Sequence, residues 1–213
     1  MALRLIRAGL RRVLLATLWG LPRGAHVTRY AMYDALRDIC ADADRGTGKS
    51  ILAISHSANL APILGLENAA ITEANFPEHN IIDLRAFPDA AFDFILSDQV
   101  LEHIEGDPQR AFDESLRLLK PGGIAVHTTC FINPIHRVPV DLWRFTPHAL
   151  RYLARDFGEI IAADGWGNRA VWLVAALGMR AEPVPHATWH PLHKIAMRNN
   201  PHWPVVTWIV ARK

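Results

Sequence analysis

From Lys49 onward the chain alternates short apolar runs with stretches of helical periodicity, and that rhythm is the mark of parallel strands joined by crossover helices. Strands are expected at 50–55, 69–73, 80–84, 92–97, 124–129 and 159–163, with a closing strand at 205–211. Between the fourth and fifth, Asp107 and Pro108 open a helix. Asp can cap it, and Pro at the first turn lacks only an N–H that would go unpaired anyway. Phe112, Leu116 and Leu119 line the inner face of this helix, and Pro121-Gly122-Gly123 stops it. A further helix is expected over 145–157. The order predicts an α/β, Rossmann-like, doubly wound and mostly parallel seven-stranded sheet with helices on both faces. Ligands of such sheets bind beyond the carboxyl ends of the strands.

A chain of 213 residues suits one domain of moderate size. The net charge of +2 gives no argument for a nucleic-acid partner, but the charge is unevenly placed. Residues 1–30 carry Arg4, Arg7, Arg11, Arg12, Arg23 and Arg29 and no acid. Leu3, Ile6, Leu10 and Leu14 share one helical face, Arg4, Arg7 and Arg11 form a stripe beside it, and Gly20-Leu21-Pro22 ends the helix. The expected arrangement is a docking helix with its arginines in water; a helix on an anionic membrane surface, through residues 1–19, is the second reading. Arg11 and Arg12 interrupt the apolar run, and nothing approaches the ~20 apolar residues that span a bilayer. A second helix places Tyr30, Tyr33, Leu36 and Ile39 on one side. The boundaries are therefore 1–48 for the basic and docking helices and 49–213 for the sheet domain. Cys40 and Cys130 are too few and too far apart for a disulfide framework, so a cytoplasmic setting is the default.

Phe92-Asp93-Phe94-Ile95-Leu96-Ser97-Asp98-Gln99-Val100-Leu101-Glu102-His103, followed by Leu118-Leu119-Lys120-Pro121-Gly122-Gly123, resembles the class I S-adenosylmethionine-dependent methyltransferases of the small-molecule branch. The resemblance covers residues 49–165. A looser likeness links Asp141-Leu142-Trp143-Arg144-Phe145-Thr146-Pro147 to bacterial members associated with glycan or cell-surface metabolism. It implies S-adenosylmethionine as cofactor and a small-molecule or glycan-related acceptor, methylated at oxygen or nitrogen. Glu73 at the end of strand two is placed to accept the ribose hydroxyls. Asp83 matches the position that meets the adenine amino group. Ser97, Asp98 and Gln99 leave strand four at the crevice, facing the methionine portion.

The first strand departs from the family pattern, which has an acid on the strand and three glycines behind it. Ala53 stands where the acid would be, and Ser55, Ser57 and Asn59 fill the glycine positions. Glycine serves such a turn by allowing positive φ and a close backbone approach. Two outcomes follow: a reshaped turn in which Ser55 and Ser57 bond the cofactor, or a catalytically inactive methyltransferase-like binding or scaffold protein. The intact motifs of strands four and five favour the first. A nicotinamide dehydrogenase would need its own glycines after strand one, which are also missing.

Methyl transfer is an in-line displacement that depends chiefly on alignment. An oxygen acceptor benefits from a nearby base, so His103 and His136 are the catalytic candidates. Asp141, Trp143 and Arg144 are the acceptor-binding candidates. His186, His190 and His193 have a spacing that could bind zinc, but Pro183, Pro185 and Pro191 break the helix this needs, so no metal is expected. Residues 183–204 are expected as a loop-rich lid over the substrate pocket. Trp166-Gly167-Asn168 is read as a turn chosen for its backbone angles, and Cys130 as a buried structural thiol. The sequence fixes no oligomeric state.

Overall fold

The computed structural model describes residues 2–43, 46–136 and 140–213, with side chains from Arg7 onward. In chain order the elements are α1 (Ala2–Ala16), β1 (Arg23–His26), α2 (Tyr30–Ile39), β2 (Ser50–Ile54), α3 (Leu60–Ile63), β3 (Ala70–Ala74), β4 (Phe92–Asp98), α4 (Gln109–Leu118), β5 (Leu119–Cys130), α5 (Pro147–Leu153), β6 (Glu159–Trp166), α6 (Val171–Ala176), β7 (Pro183–Pro185), α7 (Pro191–Met197) and β8 (Val206–Arg212). They fall into two units, one of residues 35–165 and 206–213, the other of residues 1–34 and 166–205.

The larger unit is built on a six-stranded sheet in the order β3-β2-β4-β5-β8-β6. β2, β3, β4 and β5 run parallel, and β8 is antiparallel to β5. Ile51, Leu52, Ala53 and Ile54 are all buried, as are Phe94, Ile95 and Leu96 in β4. Such continuous apolar strands are what a sheet covered on both faces requires. The chain leaves β2 toward β3 on one side and returns to β4 on the other. That reversal opens a crevice at the carboxyl ends of β2 and β4.

The two recognition motifs meet at the opposite end of these strands. Lys120 Nζ lies 2.7 Å from Asp93 Oδ2, and the same oxygen accepts from the Ser50 amide at 2.9 Å and its hydroxyl at 2.8 Å. Burial alone would raise the Asp93 carboxyl; Lys120 and Ser50 outweigh it and hold the group down at about 2. This knot ties β2, β4 and β5 together where their chains enter the sheet.

The expected strand over 80–84 is a turn. Asp83 N bonds Asn80 O at 2.8 Å, and Asn80 and Asp83 form an isolated bridge. The backbone groups that a strand would have offered to a neighbour go to α4 instead. Glu114 Oε2 accepts from Leu84 N at 2.7 Å, and Arg117 Nη2 donates to Leu84 O at 3.1 Å.

In the smaller unit β1 pairs antiparallel with β7. Residues 1–34 and 166–205 make up this unit, to which residues 183–204 supply β7 and α7. In α1, two of the arginines expected in water are engaged by the protein. Arg7, though exposed, donates to Ala176 O, and the half-buried Arg11 pairs with Glu182 at 3.2 Å. Leu10 and Val13 lie exposed, while Leu14 is half-buried; Leu3 and Ile6 fall outside the described side chains. In α2 the buried stripe is Met32, Leu36 and Cys40 beside Tyr30, with Tyr33 and Ile39 only half-buried. Gly167 is required for space rather than for its backbone angles. A Cβ there would sit 2.3 Å from Val205 N and 2.4 Å from Trp203 O. Asn168 Nδ2 caps the end of α7, donating to Ile195 O and Arg198 O, each at 2.9 Å.

Candidate active site

The crevice opens as a cavity of about 490 Å³ whose walls include Ser55, His56, His79, Asn80, Gln99 and His103. Its floor is the turn after β2. Ser55 and His56 take φ of 50° and 64°, the left-handed backbone that glycine adopts freely, although neither is glycine. Two bonds hold the strained pair in place: Ser55 N donates to Ala74 O at 3.0 Å, and His56 N to Asn75 Oδ1 at 2.7 Å. Asn75 also donates to Glu73 Oε2 at 2.8 Å, leaving the Glu73 carboxylate exposed at the end of β3. The turn takes left-handed backbone angles without glycine. The left-handed residues are Ser55 and His56, whereas Ser57 and Asn59 lie in a short 3-10 turn with Asn59 at φ −63°.

The other candidate donor-site residues separate into two sets. Gln99, at φ 61°, lines the cavity and donates from Nε2 to Thr128 Oγ1 at 2.9 Å. Asp98 is half-buried and accepts from Thr128 Oγ1. Ser57 is buried; its hydroxyl donates to Ile54 O and accepts from Asp98 N at 2.8 Å, which ties β2 to β4. Ser97, expected at the crevice, is fully buried, 2.7 Å from His127 Nδ1, and so turns away from it. Asp83 is not part of the cavity wall. Both its oxygens are held by Arg85, at 2.7 and 2.6 Å, and those bonds bring its carboxyl down to about 2.

Beyond β4, a 3-10 turn over Leu101–His103 turns His103 toward the cavity and Glu102 inward. His103 Nδ1 bonds Val140 O, a carbonyl that can only accept, so Nδ1 carries a proton. Its ring packs edge-on against His136 at 5.0 Å between centroids. Glu102 is 0% exposed. One oxygen accepts from Thr129 Oγ1 at 2.8 Å; the other, Oε1, has no hydrogen-bond partner and lies 3.9 Å from His136 Nε2. The opposite ring nitrogen of His136 is 3.2 Å from Asp141 Oδ2, which also accepts the His136 amide at 2.9 Å. Arg144 grips both Asp141 oxygens and holds that carboxyl well below the usual carboxylate range. Trp143 donates to Ile104 O at 2.9 Å and stacks on Phe145. Asp141, Trp143 and Arg144, expected on the acceptor, thus brace the loop that carries His136.

Cys130 lies in the same cluster. Burial, with Glu102 adding to it, pushes the thiol up to about 12, so it is protonated. Glu102, Cys130 and His136 offer one donor atom each within 4.8 Å of one another, an arrangement a metal ion could close. Of the histidines weighed for zinc, His186 and His193 share the Tyr30 hydroxyl at 2.8 and 3.3 Å, and His190 caps α7.

The doubly wound sheet, with its crevice at the carboxyl ends of the strands, has the fold of solved S-adenosylmethionine-dependent methyltransferases. Residues 37–127 match the family described as "Methyltransferase domain", a stretch that runs from α2 into β5 and ends before Cys130, His136 and Asp141. Among solved structures, the chain is similar to a SAM-dependent methyltransferase from Archaeoglobus fulgidus at 13% identity, covering 87% of this chain and 94% of that one, with a TM-score of 0.55. It is also similar to Haemonchus contortus phosphoethanolamine N-methyltransferase 2, solved in complex with S-adenosyl-L-methionine, at 15% identity over 86% of this chain and 52% of that one, TM-score 0.51. A third likeness is to the [4+2]-cyclase SpnF, at 17% identity over 99% and 94% of the two chains, TM-score 0.52. No curated protein matches the sequence.

Proposed function

We propose that the chain transfers the methyl group of S-adenosylmethionine to an oxygen or nitrogen of a small-molecule or glycan-related acceptor. The observation that carries this reading is the buried, partnerless Glu102 Oε1 facing His136 Nε2 across 3.9 Å, beside the cavity residue His103. A buried carboxylate oxygen without a donor is costly, and an acceptor O–H or N–H reaching into this gap would supply one. Asp141 orients the His136 ring, leaving Nε2 to take the acceptor proton as the new bond to carbon forms. When bound, the sulfonium donor supplies an electrophilic methyl and departs as a neutral thioether. Support for the donor site comes from Ser55, His56 and Gln99 on the cavity wall, with the exposed Glu73 carboxylate at the end of β3.

Calorimetric titration with S-adenosylmethionine and S-adenosylhomocysteine tests the donor half. Micromolar binding is expected, and Glu73→Ala should weaken it by about tenfold, the loss of one charged hydrogen bond. Methyl-transfer assays over hydroxylated and amino acceptors test the other half. There His136→Ala and Glu102→Gln should lower turnover by about 10² or more while donor binding stays intact. Absence of donor binding at millimolar ligand overturns the reading and leaves a binding or scaffold role, and the likeness to a cyclase shows that this fold serves other chemistry.

A further inference from the structure

The charge of the chain divides along its two units. Residues 1–34 and 166–205 carry ten arginines and lysines against two acids, Asp34 and Glu182; the remaining residues carry thirteen against nineteen. Within the basic unit the helix α1 is mounted in an unusual way. Two of its arginines are held by the unit itself, Arg7 on Ala176 O and Arg11 on Glu182. Two apolar side chains of the helix are left outside. Leu10 is 48% exposed and Val13, one turn on, 62%. Trp19, just beyond the helix, is 91% exposed. Exposed Trp189 belongs to the same end, because its neighbour His190 lies 2.9 Å from Thr17 Oγ1. Arg12 and Arg23 remain exposed beside this face.

We propose that this unit docks on an anionic lipid surface, with α1 lying in the plane of the headgroups. Leu10, Val13 and Trp19 would enter the acyl boundary, and Arg12 and Arg23 would meet the headgroup phosphates. An interfacial helix needs this combination of an outward apolar face and flanking cations. Two other occupants fit less well. Nucleic acid is bound through outward arginines and lysines, yet Arg7 and Arg11 are spent on the protein itself, and Leu10 and Val13 offer a phosphate nothing. A second copy of the unit would bring two strongly basic faces together.

The test is flotation of the full chain with vesicles of phosphatidylcholine alone and of phosphatidylcholine mixed with phosphatidylglycerol. Recovery is expected with the mixed vesicles only. It should weaken between ~0.1 M and ~1 M salt, where the screening length shrinks from about 10 Å to about 3 Å. The double variant Leu10→Glu, Val13→Glu should partition at least about tenfold more weakly, with unchanged circular dichroism, melting temperature and S-adenosylhomocysteine binding. Equal recovery with both vesicle types, or no recovery with either, overturns the proposal. So does a double variant that floats like the parent chain. Concentration-dependent self-association without lipid that the double variant abolishes would make this face a contact between copies. Retention on duplex DNA that survives the same substitutions would assign the charge to nucleic acid.

Discussion

His127 sits between two serine hydroxyls, and its hydrogen bonds define its tautomer. Ser115 already donates to Ala111 O, so it must accept from His127 Nε2–H at 3.1 Å; Nδ1 then accepts from Ser97 at 2.7 Å. Burial lowers its pKa to about 4. The unfolded chain therefore takes up the proton first, and stability falls as pH drops from about 6.5 toward 4. Between pH 7.5 and 5 this one group is expected to remove about 2 kcal/mol, or roughly 4–8 °C in Tm for a chain of this size. His127→Gln can keep both serine bonds with a neutral amide, so its Tm should lose most of that pH dependence in a thermal scan. At the turn, Ser55→Gly relieves a left-handed φ and should raise stability by up to about 1 kcal/mol. A fall in Tm there would mean that the serine side chain contributes more than its backbone strain removes.

Among the elements, the knot of Asp93, Lys120 and Ser50 joins three strands through one carboxylate. Because the Asp93 carboxyl is held below its unfolded value, its contribution is present above pH ~4 and lost as pH falls toward 2. Asp93→Asn should cost about 2 kcal/mol at neutral pH, measured by urea unfolding, and leave the cavity end of the sheet unchanged. In the smaller unit, Gly167→Ala must displace the backbone of Trp203 and Val205. Overpacking of that kind costs roughly 1–3 kcal/mol. A neutral substitution would show that this crossing is looser than the structure has it.

For the molecule as a whole, binding in the crevice couples to stability. S-adenosylhomocysteine at about one hundred times its Kd should stabilise the chain by about 2.7 kcal/mol, or roughly 5–10 °C in Tm. A Tm indifferent to the ligand would agree with a calorimetric blank and remove the enzyme reading. No helix among the described residues is long and apolar enough to cross a membrane.

The alternation of apolar runs after Lys49 determined the parallel sheet, because strands buried on both faces must be apolar throughout and the connections between them must be helical. The paired motifs around Asp93 and Lys120 were legible only as a family resemblance; that they close one knot at one end of the sheet is a finding of the structure. Only the tertiary structure decided where polar side chains point. Residues 80–84 have a strand's composition, yet the side chains of α4 take their backbone bonds. Glu102 was passed over in favour of its neighbour His103, since nothing local marks which of two adjacent residues a 3-10 turn will bury. The periodicity of α1 did not show that Arg7 and Arg11 would be held by the protein, because that depends on Ala176 and Glu182, some 170 residues away. Local patterns specify which elements form; partners distant in sequence specify which face of each is used.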